Sequence, residues 1–272
     1  MSAAATLLEA LEPLRSDPPH SAVLLDIDGT LAPIVRHASD AHVPEATRTL
    51  LIEIAKRYGL VGCISGRRCT DARQIVAIGS IAYVGNHGGE LLRGGSTRVE
   101  VVPDLAAWTD RVQEFARRSF TPECQRLRIR SEDKGAIVAL HWRGVPDEPA
   151  AAALVHEIAA RAQEEGFAVQ WGRKVLELRP PITLNKGDGI RQLLREYAKA
   201  GEGEIAAAVY VGDDLTDLDA FRGLHELLEA GELADTVCVA VNSDEAPAEL
   251  VEAADVFVDG QSGVRELLQA LL

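Results

Sequence analysis

An α/β fold, a doubly wound parallel sheet interrupted by an α+β insert, is what this 272-residue chain predicts. Three observations carry that expectation. Compact apolar runs without helical period alternate with amphipathic stretches up to about residue 95. Beyond it, strand-like runs follow one another directly, which favours antiparallel pairing. From Asn185 the first rhythm returns.

The elements follow in order. MSAAATLLEALEPLRSDPPH lacks a basic start before its apolar stretch, so it reads as a short helix ended by Pro18 and Pro19, not a signal peptide. SAVLLDI is a strand. Pro44 opens the helix PEATRTLLIEIAKRYG, whose Leu50, Leu51, Ile54 and Ala55 share one face and which Gly59 should cap. LVGCIS (strand), RRCTDARQIVAI (helix) and IAYVGNHG (strand) continue the alternation. STRVEVVP is a strand and DLAAWTDRVQEFARRSF a helix. The strands RLRIRSED and GAIVALHWR, the helix DEPAAAALVHEIAARAQEEG, and the strands FAVQW and KVLELRP come next. GDGIRQLLREYAKA is then a helix and IAAAVYVG a strand; a helix, the strand VCVAV and a last short helix close the chain. The expected division is a Rossmann-like core over 1–102 and 181–272 and an α+β cap over 103–180, with the breaker Pro180-Pro181 at the second boundary.

Composition narrows the function. With 28 basic and 42 acidic residues the net charge is −14, which argues against a general nucleic-acid or anionic-membrane binder. An anionic substrate stays open, because a local metal or lysine overrides net charge. No apolar run approaches a membrane span of ~20 residues. Cys63, Cys69, Cys124 and Cys238 form no CxxC pair and no zinc-spaced cluster, which fits buried thiols in a reducing cytoplasm.

Open α/β sheets bind ligands at the carboxyl ends of their strands. The first strand ends in Asp26-Ile27-Asp28-Gly29-Thr30 and the second in Ser65-Gly66-Arg67; Lys186 opens a helix, and IAAAVYVG ends in Gly212-Asp213-Asp214 with Asp217 beyond. A period of two returns Asp26 and Asp28 to one side of the strand. Taken singly, each motif has an ordinary explanation as a turn, a helix cap or a solvated charge. Crowded carboxylates repel unless a cation joins them, and Mg²⁺ suits a few carboxylates plus a substrate phosphate. Asp26 could then attack phosphorus, with Asp28 moving the proton of the leaving oxygen and then of water. Ser65 and Lys186 would hold the phosphoryl oxygens, with Thr30 adding a hydrogen bond.

The ordered set DIDGT, SGR, Lys186 and GDDLTD resembles the haloacid dehalogenase superfamily of phosphohydrolases. The resemblance implies Asp26 as nucleophile, Asp28 as general acid/base, and Ser65, Gly66, Thr30 and Lys186 as phosphate-binding residues. It implies Mg²⁺ held by Asp26, the carbonyl of Asp28 and Asp213, with Asp214 and Asp217 in support. An insert between the Ser and Lys motifs looks like the C2 cap class, which selects substrate. LLDIDGTLAPI, ISGR, GNHGGE, EDKGAIVALHWR, GRKVLELRP, NKGDGI and VGDDLTDLDAF are together similar to the trehalose-6-phosphate phosphatase family. That likeness implies hydrolysis of a phosphorylated disaccharide through an aspartyl phosphate. Its implied sugar contacts are His87, Glu132, Lys134, Arg143 and Glu177. Where the family commonly has a lysine four residues before the cap glutamate, this chain has Arg173 followed by Lys174, so either could face the sugar. The expected partner is a small sugar phosphate, with a monomer favoured. The alternatives are a phosphatase of glucosylglycerol or glucosylglycerate phosphate and a non-catalytic regulatory relative.

Overall fold

The computed structural model describes residues 3–35, 40–133, 135–242 and 247–272. It divides into two compact units, 1–100 with 184–272, and 101–183.

The first unit is built on an eight-stranded sheet. The chain enters through the helices α1 (Ala3–Ala10) and α2 (Glu12–Ser16) and a single 3-10 turn over Pro18–His20. It continues as β1 (Ser21–Leu25), α3 (Glu45–Arg57), β2 (Leu60–Ile64), α4 (Cys69–Val76), β3 (Ala82–Gly85), β4 (Glu90–Leu92) and β5 (Val99–Val101). The insert carries α5 (Pro103–Ser119), α6 (Pro122–Arg126), β6 (Arg130–Asp133), β7 (Val138–His141), α7 (Glu148–Glu164), β8 (Ala168–Gly172) and β9 (Val175–Arg179). The return comprises α8 (Lys186–Lys199), β10 (Ala207–Gly212), α9 (Asp217–Glu229), β11 (Asp235–Asn242), α10 (Ala248–Ala253), β12 (Val256–Asp259) and α11 (Gly260–Ala270).

The large sheet runs β12-β11-β10-β1-β2-β3-β4-β5. Pairing is parallel from β12 through β3, and β4 returns antiparallel on β3. Burial on both faces explains why β1 is apolar from Ala22 to Leu25. Val23 and Leu25 pack into a cluster that also holds residues of α3, α4 and α11, whereas Ala22 and Leu24 pack into another with residues of α8 and α9. A strand covered on both faces cannot alternate polar with apolar. Each large side chain so buried contributes about 1.5–3 kcal/mol. Since β1 has β2 on one side and β10 on the other, the strand order reverses there, the place where such sheets bind ligands.

The insert is a four-stranded antiparallel sheet, β6-β7-β9-β8. Val138, Leu140, Leu176 and Leu178 pack with Val112 and Phe115 of α5 and Val155 and Ile158 of α7. The opposite face carries a cross-strand row, Glu132–Ala139–Glu177–Gln170.

Several local expectations are corrected. RLRIRSED does not form one strand: Pro122 starts α6, which runs through Arg126, Arg128 adopts a left-handed φ of 57°, and pairing begins only at Arg130. Gly59 does not cap α3; that position is Tyr58 in extended conformation, and Gly59 N–H donates to the Pro18 carbonyl. The closing segment is α10, β12 and α11, not a single short helix. Among the described residues no helix is long and apolar enough to cross a membrane.

Candidate active site

Asp26 follows the last residue of β1 and is 4% exposed; its N–H donates to the carbonyl of Val211 on β10. Beyond it the chain turns at Gly29, whose φ of 88° brings its Cα so close to Asp213 that a Cβ would lie 1.8 Å from Oδ2. Glycine is therefore required there on steric and conformational grounds. Thr30, fully buried, donates from Oγ1 to Asp213 Oδ1 at 3.0 Å.

Lys186 is the first residue of α8, after the N-cap Asn185, whose side chain accepts from Asp188 N–H at 2.8 Å. Its ammonium donates to Asp26 Oδ1 at 2.9 Å and to Asp217 Oδ1 at 2.6 Å. Asp217, at the start of α9, has no exposed surface, and its Oδ1 also accepts from Tyr210 OH at 2.5 Å. Its Oδ2 accepts from the N–H groups of Asp213 and Asp214, both at 2.9 Å. A carboxylate offers about four lone-pair sites, so these donors saturate it. Asp26 and Asp213 each bond through Oδ1 and, among the described residues, keep the second oxygen for a ligand.

Ligand oxygens of Asp26, Asp213 and Asp217 come within 4.8 Å of one another. Burial, ahead of the opposing pull of Lys186, holds Asp26 well above the usual carboxylate range. Burial also pushes Asp213 up to about 6, against the hydrogen bond from Thr30. Burial would lower Lys186, but Asp26 and Asp217 outweigh it and keep the ammonium charged. Three acids share one cation, so the cluster is short of positive charge. A hard oxygen-ligated divalent ion fits that deficit.

The other expected residues are placed as follows. Asp28 is clasped by Arg67, from Nε at 2.6 Å and Nη2 at 2.7 Å. Arg67 N–H donates to Ser65 Oγ at 3.1 Å, so Arg67 ties the loop after β2 to the loop after β1. Ser65 is 1% exposed. Gly66 packs on the His87 ring, where a Cβ would stand 2.6 Å from Cε1. His87 and Asn86 are both left-handed, at φ 53° and 48°, a strained pair of non-glycine residues. Asp214 is exposed, its Oδ1 accepts from Thr216 N–H and Oγ1 at 2.7 and 2.6 Å, and its charge acts on Asp213 while Lys186 acts on it. Arg67 and Tyr210 carry contacts that the motifs did not single out. Arg67 stands inside SGR and was legible there, whereas Tyr210 looks like any core residue of an apolar strand.

In the insert, Glu132 and His141 Nε2 are 2.8 Å apart, and Glu177 accepts from Arg179 at 2.8 Å. Arg143 donates to the Arg173 carbonyl at 3.0 Å. Lys174, at φ 64°, pairs with Glu148. Lys134 lies outside the described residues.

Comparison with known proteins decides the family. The trehalose-phosphatase family model matches residues 24–255, most of the chain. The chain belongs to the trehalose-phosphatase family. A trehalose-phosphate phosphatase of Mycobacterium marinum is 32% identical over 244 residues, covering 86% of this chain and 60% of its own length. The chain thus spans little more than half of such a curated relative. Trehalose-6-phosphate phosphatase of Aspergillus fumigatus shares the fold, with a TM-score of 0.62 at 23% identity over 98% of this chain and 96% of that one. A haloacid dehalogenase-like hydrolase from Bacteroides thetaiotaomicron gives 0.60 at 18% identity over 93% and 100%. These likenesses match the fold seen here, a doubly wound core carrying an α+β insert.

Proposed function

We propose that this member of the trehalose-phosphatase family hydrolyses trehalose 6-phosphate to trehalose and phosphate, with Mg²⁺ as cofactor. The observation that carries the reading is buried Lys186 bridging Asp26 and Asp217 at the sheet's switch point, beside Asp213. Asp26 Oδ attacks phosphorus, forming an acyl phosphate as the bond from phosphorus to the sugar oxygen breaks. Asp28 gives that oxygen its proton; it then takes one from the water that cleaves the acyl phosphate and regenerates Asp26. Arg67 clasps both oxygens of Asp28, so it must release one of them before Asp28 can carry a proton in either transfer. Lys186 and Ser65 bind the phosphoryl oxygens, fixed in advance by their buried partners. Asp26 and Asp213 would hold the ion, with the Asp28 carbonyl, and it would neutralise charge on the phosphoryl group when bound. Asp217, saturated by its donors, fixes Lys186 and the loop after β10.

The insert is the cap of this reading. Its helix-free sheet face presents Glu132 and Glu177 in one row, suited to accept hydrogen bonds from sugar hydroxyls. Arg143 and Arg173 of the insert are the further residues proposed to meet the sugar. The test is purified protein with trehalose 6-phosphate, magnesium and chelator. Phosphate and trehalose should appear in equal amounts, stop on chelation and resume with added Mg²⁺. No release with metal present would reject the activity. Faster release from glucosylglycerol or glucosylglycerate phosphate at equal concentration would keep the chemistry and reassign the substrate.

A further inference from the structure

Among the described residues, two groups of side chains bring three metal-ligating atoms within 4.8 Å of one another. One is the acid cluster above. The other, His225, Cys238 and Asp255, shares no residue with it and differs in chemistry. Its atoms are an imidazole nitrogen, a thiol sulfur and a carboxylate oxygen.

Two of the three residues come from α9 and β11, and the third from the link between α10 and β12. Cys238 sits in β11, on the face that packs with Leu224 and Leu227 of α9, and is fully buried. His225 is on α9, half-buried, with Nε2 3.8 Å from Cys238 Sγ. Asp255 immediately precedes β12, and its Oδ2 accepts from Cys238 N–H at 2.8 Å. That bond orients the carboxylate beside the thiol, as outer hydrogen bonds orient metal-ligating carboxylates. Asp255 is exposed, so the group opens to solvent on one side. The 13-residue and 17-residue separations conceal it from any search for a short zinc motif.

The spacing is informative. Zinc–sulfur and zinc–nitrogen bonds in a tetrahedral site place the two ligand atoms about 3.6 Å apart. The observed 3.8 Å lies close to that separation. Burial raises the Cys238 thiol well above its ordinary value, so without an ion it stays protonated. Ligation would displace the thiol proton to solvent while a bond from sulfur to the metal forms. A sulfur–nitrogen–oxygen set favours borderline transition metals over Mg²⁺, so two ions of different hardness would sort between the two groups.

We propose that His225, Cys238 and Asp255 form a second site, for a divalent transition metal of the zinc class, that clips α9 to β11 and the start of β12. The site carries three protein ligands and admits water as a fourth. Because α9 begins with Asp217, the clip braces the helix whose first residue pairs with Lys186.

The test uses the full chain in excess magnesium, titrated with Co²⁺ as a spectroscopic substitute. A near-ultraviolet thiolate-to-cobalt band and visible ligand-field bands should grow together and saturate at about one ion per chain. Cys238→Ser should abolish the thiolate band, and His225→Gln and Asp255→Asn should each weaken binding by about tenfold or more. Zn²⁺ should raise the melting temperature of the native chain and leave that of His225→Gln unmoved. If Cys238→Ser does not fold, the partly exposed His225→Gln decides on the same two readouts. Absence of the thiolate band in the native chain, its survival in Cys238→Ser, or equal zinc stabilisation of His225→Gln would each overturn the proposal.

Discussion

The acid cluster of the core and the charged row of the insert use similar residues under opposite conditions. Lys186, Asp26 and Asp217 are held with side chains 2%, 6% and 0% exposed. Glu132, beside His141, and Lys174, which from the turn before β9 pairs with Glu148, leave 53% and 43% of their side chains exposed. Removing one member of a buried pair strands its partner and costs about 3–5 kcal/mol. An exposed pair contributes ~0–1 kcal/mol, and its side chains move at little cost. The core groups are therefore set before a ligand arrives, whereas those of the insert can re-aim. Fixed geometry suits a phosphoryl group common to many substrates, and adjustable polar contacts suit the sugar that distinguishes them.

The largest break in that contrast is Lys186→Met. It strands Asp26 and Asp217 together, so stability should fall by about 3–5 kcal/mol in urea unfolding. Phosphatase turnover should fall on the order of 10³-fold, as for loss of a transition-state charge partner. Asp26→Asn separates the two consequences. Burial and repulsion from Asp217 and Asp213 oppose the charge at this position, so the metal-free variant should unfold no more easily than the native chain. Its turnover should still fall about 10³-fold or more, because the amide cannot replace the attacking carboxylate. An active Asp26→Asn would remove the nucleophile from the proposed reaction.

Tyr210→Phe is a smaller and sharper probe. It deletes one donor to Asp217 Oδ1 and leaves the ring in place. A hydrogen bond to a charged group is worth about 1.5–3 kcal/mol, so stability should drop within that range. With the hydroxyl gone, Asp217 Oδ1 is left to Lys186, which should be held more tightly and release less charge to the phosphoryl group. Inhibition by inorganic phosphate should weaken along with turnover. A packing role alone would change the melting temperature and leave phosphate inhibition intact.

These residues also mark how far the sequence was legible. Asp26 was visible because a charge at the end of an apolar run has no packing explanation. The three converging acids and Lys186 follow once the strands are put in parallel order, since their ends then share one edge. Tyr210 was hidden because it has the same period as Ala208, and both are buried on the same face of β10. Its hydroxyl finds a partner only through the tertiary fold. Asp214, read as a support to Asp213, bonds locally to Thr216 at the start of a turn. RLRIR alternates as a strand should, but Pro122 four residues upstream of Arg126 begins a helix that consumes its first residue. β12 and β4 are too short to show a period, and pairing with β11 and β3 defines them.

The smallest effect belongs to the insert. Glu177 stands in the middle of β9, beside Ala139 of β7 and in register with Gln170 of β8. Its Oε2 accepts from Arg179, which lies two residues along the same strand and thus on the same face. Glu177→Gln preserves shape and one hydrogen-bonding oxygen while removing the charge that pairs with Arg179 on a side chain only 18% exposed, so stability should fall by about 1 kcal/mol. If the row reads sugar hydroxyls, KM for trehalose 6-phosphate should rise about 5- to 30-fold, about 1–2 kcal/mol of lost recognition. Turnover of p-nitrophenyl phosphate should stay unchanged, because that substrate offers no sugar hydroxyl to the row. An equal fall on both substrates would show that Glu177 acts on the phosphoryl chemistry, and the division between fixed core and adjustable insert would fail at this residue.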